Sequence, residues 1–370
     1  MATLGTSNWI LGNQLVSGFF PNKIPNPDLK WERTGQFDIG LDLGLFNNRL
    51  RITTDYYKKK TTDLLYSVAV PATSGYQTML KNIGSIENQG YELSIESDNL
   101  TGAFSWTTAF NIAFNRNKVL ELGGEEYKEM AEGDGHLKTG SVRRLIVGEP
   151  IGVFYGYRFD GIFQNEEECK QQTSSASPIG VGLRRYKDLN GDGKVDAAND
   201  REILGDANPK FFGGLTNTFA YKGFELNVFL QYSYGNKILN YNAMELENPT
   251  GGQNAYADMV NRWTPENPSN IYPKATTNRA LLVSDRFIED GSYLKLKTLS
   301  LSYSFPKINL KHIQGLRLYV TGQNLLTWTK YRGYDPEVSY RGASTLEAGE
   351  DFGGYPQSRT FMFGIKLDIK

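Results

Sequence analysis

From residue 36 onward, apolar and polar positions trade places one by one. Phe37, Ile39, Leu41, Leu43 and Leu45 are apolar, and Gln36, Asp38, Gly40, Asp42 and Gly44 between them are not. Successive side chains of a β-strand point to opposite faces, so this pattern predicts a strand with one apolar face. Asn47 and Asn48 supply a tight turn, after which Leu50, Ile52, Thr54 and Tyr56 alternate with Arg51, Thr53 and Asp55. The same alternation returns at 91–96, 104–114, 224–234 and 299–305. It ends with Phe361, Phe363, Ile365, Leu367 and Ile369 on one face.

Several of these runs exceed ten residues. Strands of globular sheets average ~5–6 residues, whereas a strand crossing a membrane in a barrel needs ~9–11. The polar faces are rich in Asp, Glu, Asn and Gln, which suits a wet lumen behind an apolar band that meets lipid. Connections alternate in length. Turns at Asn47 and Asn48, at 98–102, at Lys222 and Gly223 and at 306–315 are short, while 67–84, 117–209, 236–284 and 330–357 are long. Outer-membrane barrels have short periplasmic turns and long extracellular loops, in this alternating order. With Asn47 on the periplasmic side, the direction of later strands stays consistent only if 117–209 adds zero or two crossings. The fold class expected is therefore all-β, an antiparallel transmembrane β-barrel portion of about nine to eleven strands with long extracellular loops. Bacterial single-chain barrels have even strand numbers, so an odd count implies that this chain does not close on its own.

Composition narrows the function. Lys and Arg total 40 against 41 Asp and Glu, and with both histidines neutral the net charge is −1. Nucleic acid is excluded as a partner because no basic excess exists to meet phosphates. The single cysteine, Cys169, rules out an intrachain disulfide and a thiolate metal cluster. His136 and His312 lie far apart, which argues against a serine-type triad or a histidine zinc site. Acids such as Glu166, Glu167 and Glu168 are not set across a pocket as acid and base, so the chain is read as no enzyme. No run approaches the ~20 apolar residues of a spanning helix, and the start "MATLGTSNWILGNQ" lacks the pattern of a secretion signal. Those two points alone would read as a soluble cytoplasmic protein, and the long alternating strands outweigh them. No linker divides the chain, so residues 1–370 are read as one unit. Lys58, Lys59 and Lys60 read as a solvated strand end at headgroup level.

One stretch carries candidate metal chemistry. In "DLNGDGKVDAAND", Asp188, Asn190, Asp192, the Lys194 carbonyl and Asp196 fall at positions 1, 3, 5, 7 and 9 of a calcium-loop pattern, with Gly193 at the sharp turn. Position 12 is Asn199 rather than a bidentate Glu, and Asp200, one residue beyond, is read with these five as a candidate ligand. No flanking helices are apparent, so the functional reading is a structural Ca2+ that stiffens a long loop. The other reading is a turn rich in Gly, Asp and Asn that holds no metal.

Six ordered motifs, "NPDLKWERTGQFDIGLDL", "KNIGSIENQGYELSIES", "YKDLNGDGKVD", "VNRWTPENP", "YVTGQNLLTWTKYRGYDPEV" and "YPQSRTFMFGIKL", span nearly the whole chain. Together they resemble the SusC/RagA family of TonB-dependent outer-membrane transporters. The resemblance implies the C-terminal portion of a barrel of roughly 22 strands, without the plug domain, the TonB-contacting segment or a signal peptide. It implies TonB-dependent uptake of an oligosaccharide or peptide across the outer membrane, with membrane lipid around the wall. A SusD-like surface lipoprotein and, through the plug region, the TonB complex are the implied partners. Loop aromatics Tyr241, Tyr256, Trp263 and Tyr272 either stack on such a substrate or pack within their own loops. Trp263 lies in one of the motifs, and Tyr331, Tyr334 and Asp335 read as loop architecture. The alternative reading is a soluble or surface calcium-stabilised β-protein that binds glycans, which predicts stability in water without lipid.

Overall fold

The computed structural model describes all residues except 1–3, 22–23, 25, 75, 77, 131–132, 134–135, 138, 249–253, 278–280, 306–312, 339, 343 and 370. Among the described residues, eleven long strands are present: β1 (Leu4–Leu11), β2 (Gln14–Pro21), β3 (Arg33–Leu45), β4 (Leu50–Thr62), β5 (Ser85–Thr101) and β6 (Phe104–Glu121). They continue with β7 (Phe211–Tyr221), β8 (Phe224–Tyr234), β9 (Tyr293–Ser304), β10 (Ile313–Thr329) and β11 (Thr360–Ile369). Nine of them, β3 to β11, form one antiparallel sheet in chain order, with β3 and β11 at its edges. The segment between β6 and β7 adds no crossing to this sheet, because, among the described residues, its short strands pair with one another and, through a bridge of Tyr157 to Ser284, with the next connection, never with the wall.

Alternation sets the register. Leu43, Ile52, Ile95, Phe110, Leu215, Leu230, Leu296 and Leu326 lie opposite one another in an unbroken apolar row across eight strands. A slip of one residue in any strand would turn its apolar set to the polar face, which is why the pattern specifies the pairing. This apolar face is not covered by protein: Phe363 is 83% exposed, Ile365 68% and Phe37 60%. An apolar band of this extent, left open by the fold, is the surface that lipid covers in an outer-membrane barrel.

The short turns follow their residues. Asn47 and Asn48 take φ of 55° and 62°, left-handed values that Asn tolerates better than most residues. Lys222 and Gly223, at 46° and 87°, make the two-residue turn whose twist matches the flanking strands. The turn expected at 98–102 is shorter than read, since β5 continues to Thr101 through a register shift between Asp98 and Leu100. Most of the turn expected at 306–315 lies outside the described residues. The hairpin of β1 and β2 was not legible because apolar and polar residues do not alternate there; it turns at Gly12 and Asn13, both left-handed.

The main buried core does not belong to the wall. It sits in the three long connections 122–210, 235–292 and 330–359, which gather at the same end of the sheet. Phe154, Leu239, Tyr241, Met244, Leu281 and Phe287 form its centre, and Phe352 packs against it from the last connection. These connections thus form a cap with a core of its own. Short elements inside it include the helices α1 (Glu166–Gln171) and α2 (Tyr241–Leu246).

Candidate functional site: the cap over the strand ends

The cap is held by charges that the chain brings together from far apart. Arg143, 2% exposed, donates from Nε to Glu350 Oε1 at 2.8 Å and from Nη1 to the Gly152 carbonyl at 2.6 Å. A third bond goes to the Ala348 carbonyl, and the guanidinium lies 4.2 Å from the Phe154 ring centroid. The Tyr241 hydroxyl donates to the other oxygen of Glu350 at 3.2 Å. This cluster locks the connection 330–359 to the other two, helped by parallel pairing of Leu239 with Glu350 and of Asn240 with Asp351. Tyr331 donates to Asp351, and burial together with that carboxylate pushes the phenol well above the usual tyrosine range.

A second cluster ties the same connection to the polar face of the wall. Lys295 on β9 is 2% exposed, and its Nζ donates to Asp335 Oδ1 and to Glu337 Oε2, each at 2.6 Å. Lys297 reaches the same Glu337 oxygen at 2.7 Å. Burial alone would raise the Glu337 carboxyl, but the two lysines outweigh it and hold it below the usual carboxylate range. Residues 335–337 therefore fold inward over the lumen side of the strands rather than outward into solvent.

The candidate ligand aromatics take different places. Tyr241 is fully buried in the cap core, so its ring is spent on packing and is not available to a ligand. Tyr256 is half-buried and packs on that core. Trp263 is half-buried, and its Nε1 donates to Gln164 Oε1 at 3.1 Å, joining two connections. Gly182 allows this approach: it has φ +81°, and a Cβ there would meet the Trp263 ring at 2.6 Å. The half-buried Tyr272 donates to Asp258 Oδ2 at 3.2 Å, with Arg286 over its ring. Among the described residues, Tyr241 meets the Phe352 ring edge-on, and the four candidate rings make no ring contact with one another. Tyr334, 82% exposed, and Tyr355, 91% exposed, are the open aromatics of the last connection. Loop exposure cannot be read from a segment without periodicity, and only their place in non-alternating sequence marks them.

The candidate calcium loop closes largely upon itself. Asp188 accepts from Gly191 N and Gly193 N, both at 2.7 Å, while Asn190 and Asp192 accept from Asp192 N and Lys194 N. Asp196 accepts from Ala198 N and Asn199 N, and the Lys194 ammonium reaches it at 3.1 Å. The Lys194 bond, with those N–H groups, holds Asp196 below its usual pKa. Asp200 has a separate part: fully buried, it accepts from Leu189 N and Asp196 N at 2.7 Å each and so clamps the two ends of the loop. Among the described residues, no three carboxylate, imidazole or thiol groups converge at metal spacing.

Comparison with known proteins bears on this arrangement. Residues 3–325 match the family model described as TonB dependent receptor-like, beta-barrel. The chain is 40% identical to TonB-dependent receptor P3 of Formosa agariphila over 97% of its own length and 36% of the relative's. It is 30% identical to the TonB-dependent receptor SusC of Bacteroides thetaiotaomicron, covering 94% of this chain and 33% of that one. Its fold resembles a chain of the RagAB peptide importer in the open-open state, with TM-score 0.80, 26% identity, and coverage of 99% of this chain and 38% of that chain. The chain thus spans about a third of the length of the curated relatives it matches.

Proposed function

The chain belongs to the TonB-dependent receptor β-barrel family of the outer membrane, and on that premise we propose that it supplies wall and extracellular cap to an importer of oligosaccharides or peptides. The observation that carries this reading is the inward fold of the cap: Asp335 and Glu337 bring the last connection onto the lumen face at Lys295. A cap anchored there stands where cargo entering from outside must pass. The resemblance to SusC and to the RagAB importer favours import over catalysis, and the chain is proposed to catalyse no reaction. A SusD-like lipoprotein is proposed to cover the cap, and TonB to act through a plug contributed by residues outside this stretch. Tyr256, Trp263 and Tyr272, with the open Tyr334 and Tyr355, are proposed as contacts for sugar rings or peptide side chains. The soluble alternative finds no support, since it leaves the apolar band of the wall in water.

Cells that express the intact protein are expected to take up labelled oligosaccharides or peptides in a TonB-dependent manner, and cells lacking it to lose that uptake. Unchanged uptake of both classes on deletion would refute the proposal. For the loop at 188–200, we propose a bound Ca2+ held by Asp188, Asn190, Asp192, the Lys194 carbonyl and Asp196, supported by their spacing. Chelation is then expected to speed amide exchange across 188–200; identical exchange with and without calcium would leave a metal-free turn.

A further inference from the structure

Between the first two long connections lies a cavity of about 30 Å3, lined by Ser177, Pro178, Arg184, Tyr186, Asn248 and Thr276. Arg184 is 9% exposed. Its Nη2 donates to the Glu247 carbonyl at 3.1 Å, and its buried Nε has no partner. The nearby Glu247 carboxylate does not serve it, being taken by Arg286 at 2.7 Å and Arg332 at 2.9 Å. Glu289 is likewise spent on Arg332 at 2.8 Å. Arg184 is thus a buried guanidinium that no carboxylate contacts, although the Glu247 charge is near enough to act on it.

A buried guanidinium with an unpartnered N–H and no carboxylate in contact is strongly disfavoured. Most side chains escape by changing protonation. Burial does push the pKa of Arg184 down, but an arginine keeps its proton in proteins. The Phe287 ring, 5.5 Å from the guanidinium carbon, offers only its face. A small anion in the cavity would give Nε an acceptor and the guanidinium a negative charge in contact, which a water would not. The cavity exceeds the ~10–15 Å3 that one water needs and is far too small for a sugar ring. Ser177 and Asn248 line it together with Arg184.

We propose that this cavity binds a small monovalent anion of chloride size, held by the Arg184 guanidinium, as a structural ligand that joins the two connections. The proposal is independent of what cargo the protein carries. Crystals of the intact protein, purified in detergent and exchanged from chloride into bromide, are expected to show an anomalous bromide peak within contact distance of Arg184. Bromide bound elsewhere but absent there would overturn the proposal, as would a carboxylate from the protein or its cargo filling the site instead. In solution, replacing chloride by gluconate at constant ionic strength is expected to lower the thermal midpoint of the wild type. That dependence is expected to be lost in Arg184→Met, and equal dependence in both proteins would overturn the assignment. Should the variant fail to fold, the bromide peak in the wild type decides alone.

Discussion

Replacing Arg143 by methionine tests how the cap is held. Arg143 and Glu350 are each 2% exposed, and their ion pair is 2.8 Å long. Removing one partner of a buried pair strands the other, at a cost of about 3–5 kcal/mol. Here Glu350 keeps the Tyr241 hydroxyl at 3.2 Å and gains some relief from Arg341 at 3.6 Å, which places the expected cost at the lower end, about 3 kcal/mol. The double variant Arg143→Met with Glu350→Leu removes both charges. It is expected to recover most of that loss, leaving about 1–2 kcal/mol for the orphaned carbonyls of Gly152 and Ala348. Because the wall stands on its own strand pairing, the readout is local opening rather than global melting. The amides of Leu239, bonded to the Gly349 carbonyl, and of Tyr340, bonded to the Glu350 carbonyl, report it by hydrogen exchange. A loss of about 3 kcal/mol accelerates their exchange roughly a hundredfold. Exchange within a few-fold of wild type, or a double variant as impaired as the two singles added together, would refute the reasoning.

Three further outcomes follow from the same geometry. Asp200→Ala leaves the N–H groups of Leu189 and Asp196 without their buried acceptor; a local loss of about 2–3 kcal/mol is expected, read as faster exchange at those two amides, while Asn199→Ala is expected to change little. Since Lys295 and Lys297 hold Glu337 below the usual carboxylate range, its contribution is in full force above the unfolded value of about 4.3 and is lost as pH falls through the lower folded value. Protection of amides at 335–338 is therefore expected to hold from neutrality down to pH ~4.5, and loss near pH 6 would refute the latch. On the wall, Ile365→Arg places a charge on the apolar face and is expected to cost about 2–4 kcal/mol near the bilayer midplane, whereas Lys366→Arg on the other face costs almost nothing. Equilibrium folding into lipid vesicles measures both.

How much of this could be read in advance differs sharply between wall and cap. The wall strands were legible because a membrane barrel must alternate: one face meets lipid, the other water, and every second residue of β3 reports it. The turns at Asn47 and Asn48 and at Gly223 were legible because left-handed backbone selects a few residue types. The hairpin of β1 and β2 escaped because its residues do not alternate. For the calcium loop, the donor spacing was visible, but the clamp role of Asp200 was not, since nothing in the spacing says that its carboxylate turns back onto Leu189.

The cap lay almost wholly beyond sequence reasoning. Arg143 and Glu350 are separated by 207 positions, and Lys295 lies 40 from Asp335. No periodicity marks such pairs, because loop residues are selected by partners that only folding brings near. Tyr241 shows the difference well: in the sequence it is one more loop aromatic, and in the fold it is the buried hydroxyl donor to Glu350. The sequence by itself determined the alternating strands of the wall, their faces and their pairing, because those follow from a two-residue repeat and from short turns. The tertiary structure alone decided which charges are buried together, which aromatics stay open and where Arg184 lacks a carboxylate in contact, because burial and pairing depend on distances between segments that the chain order does not encode.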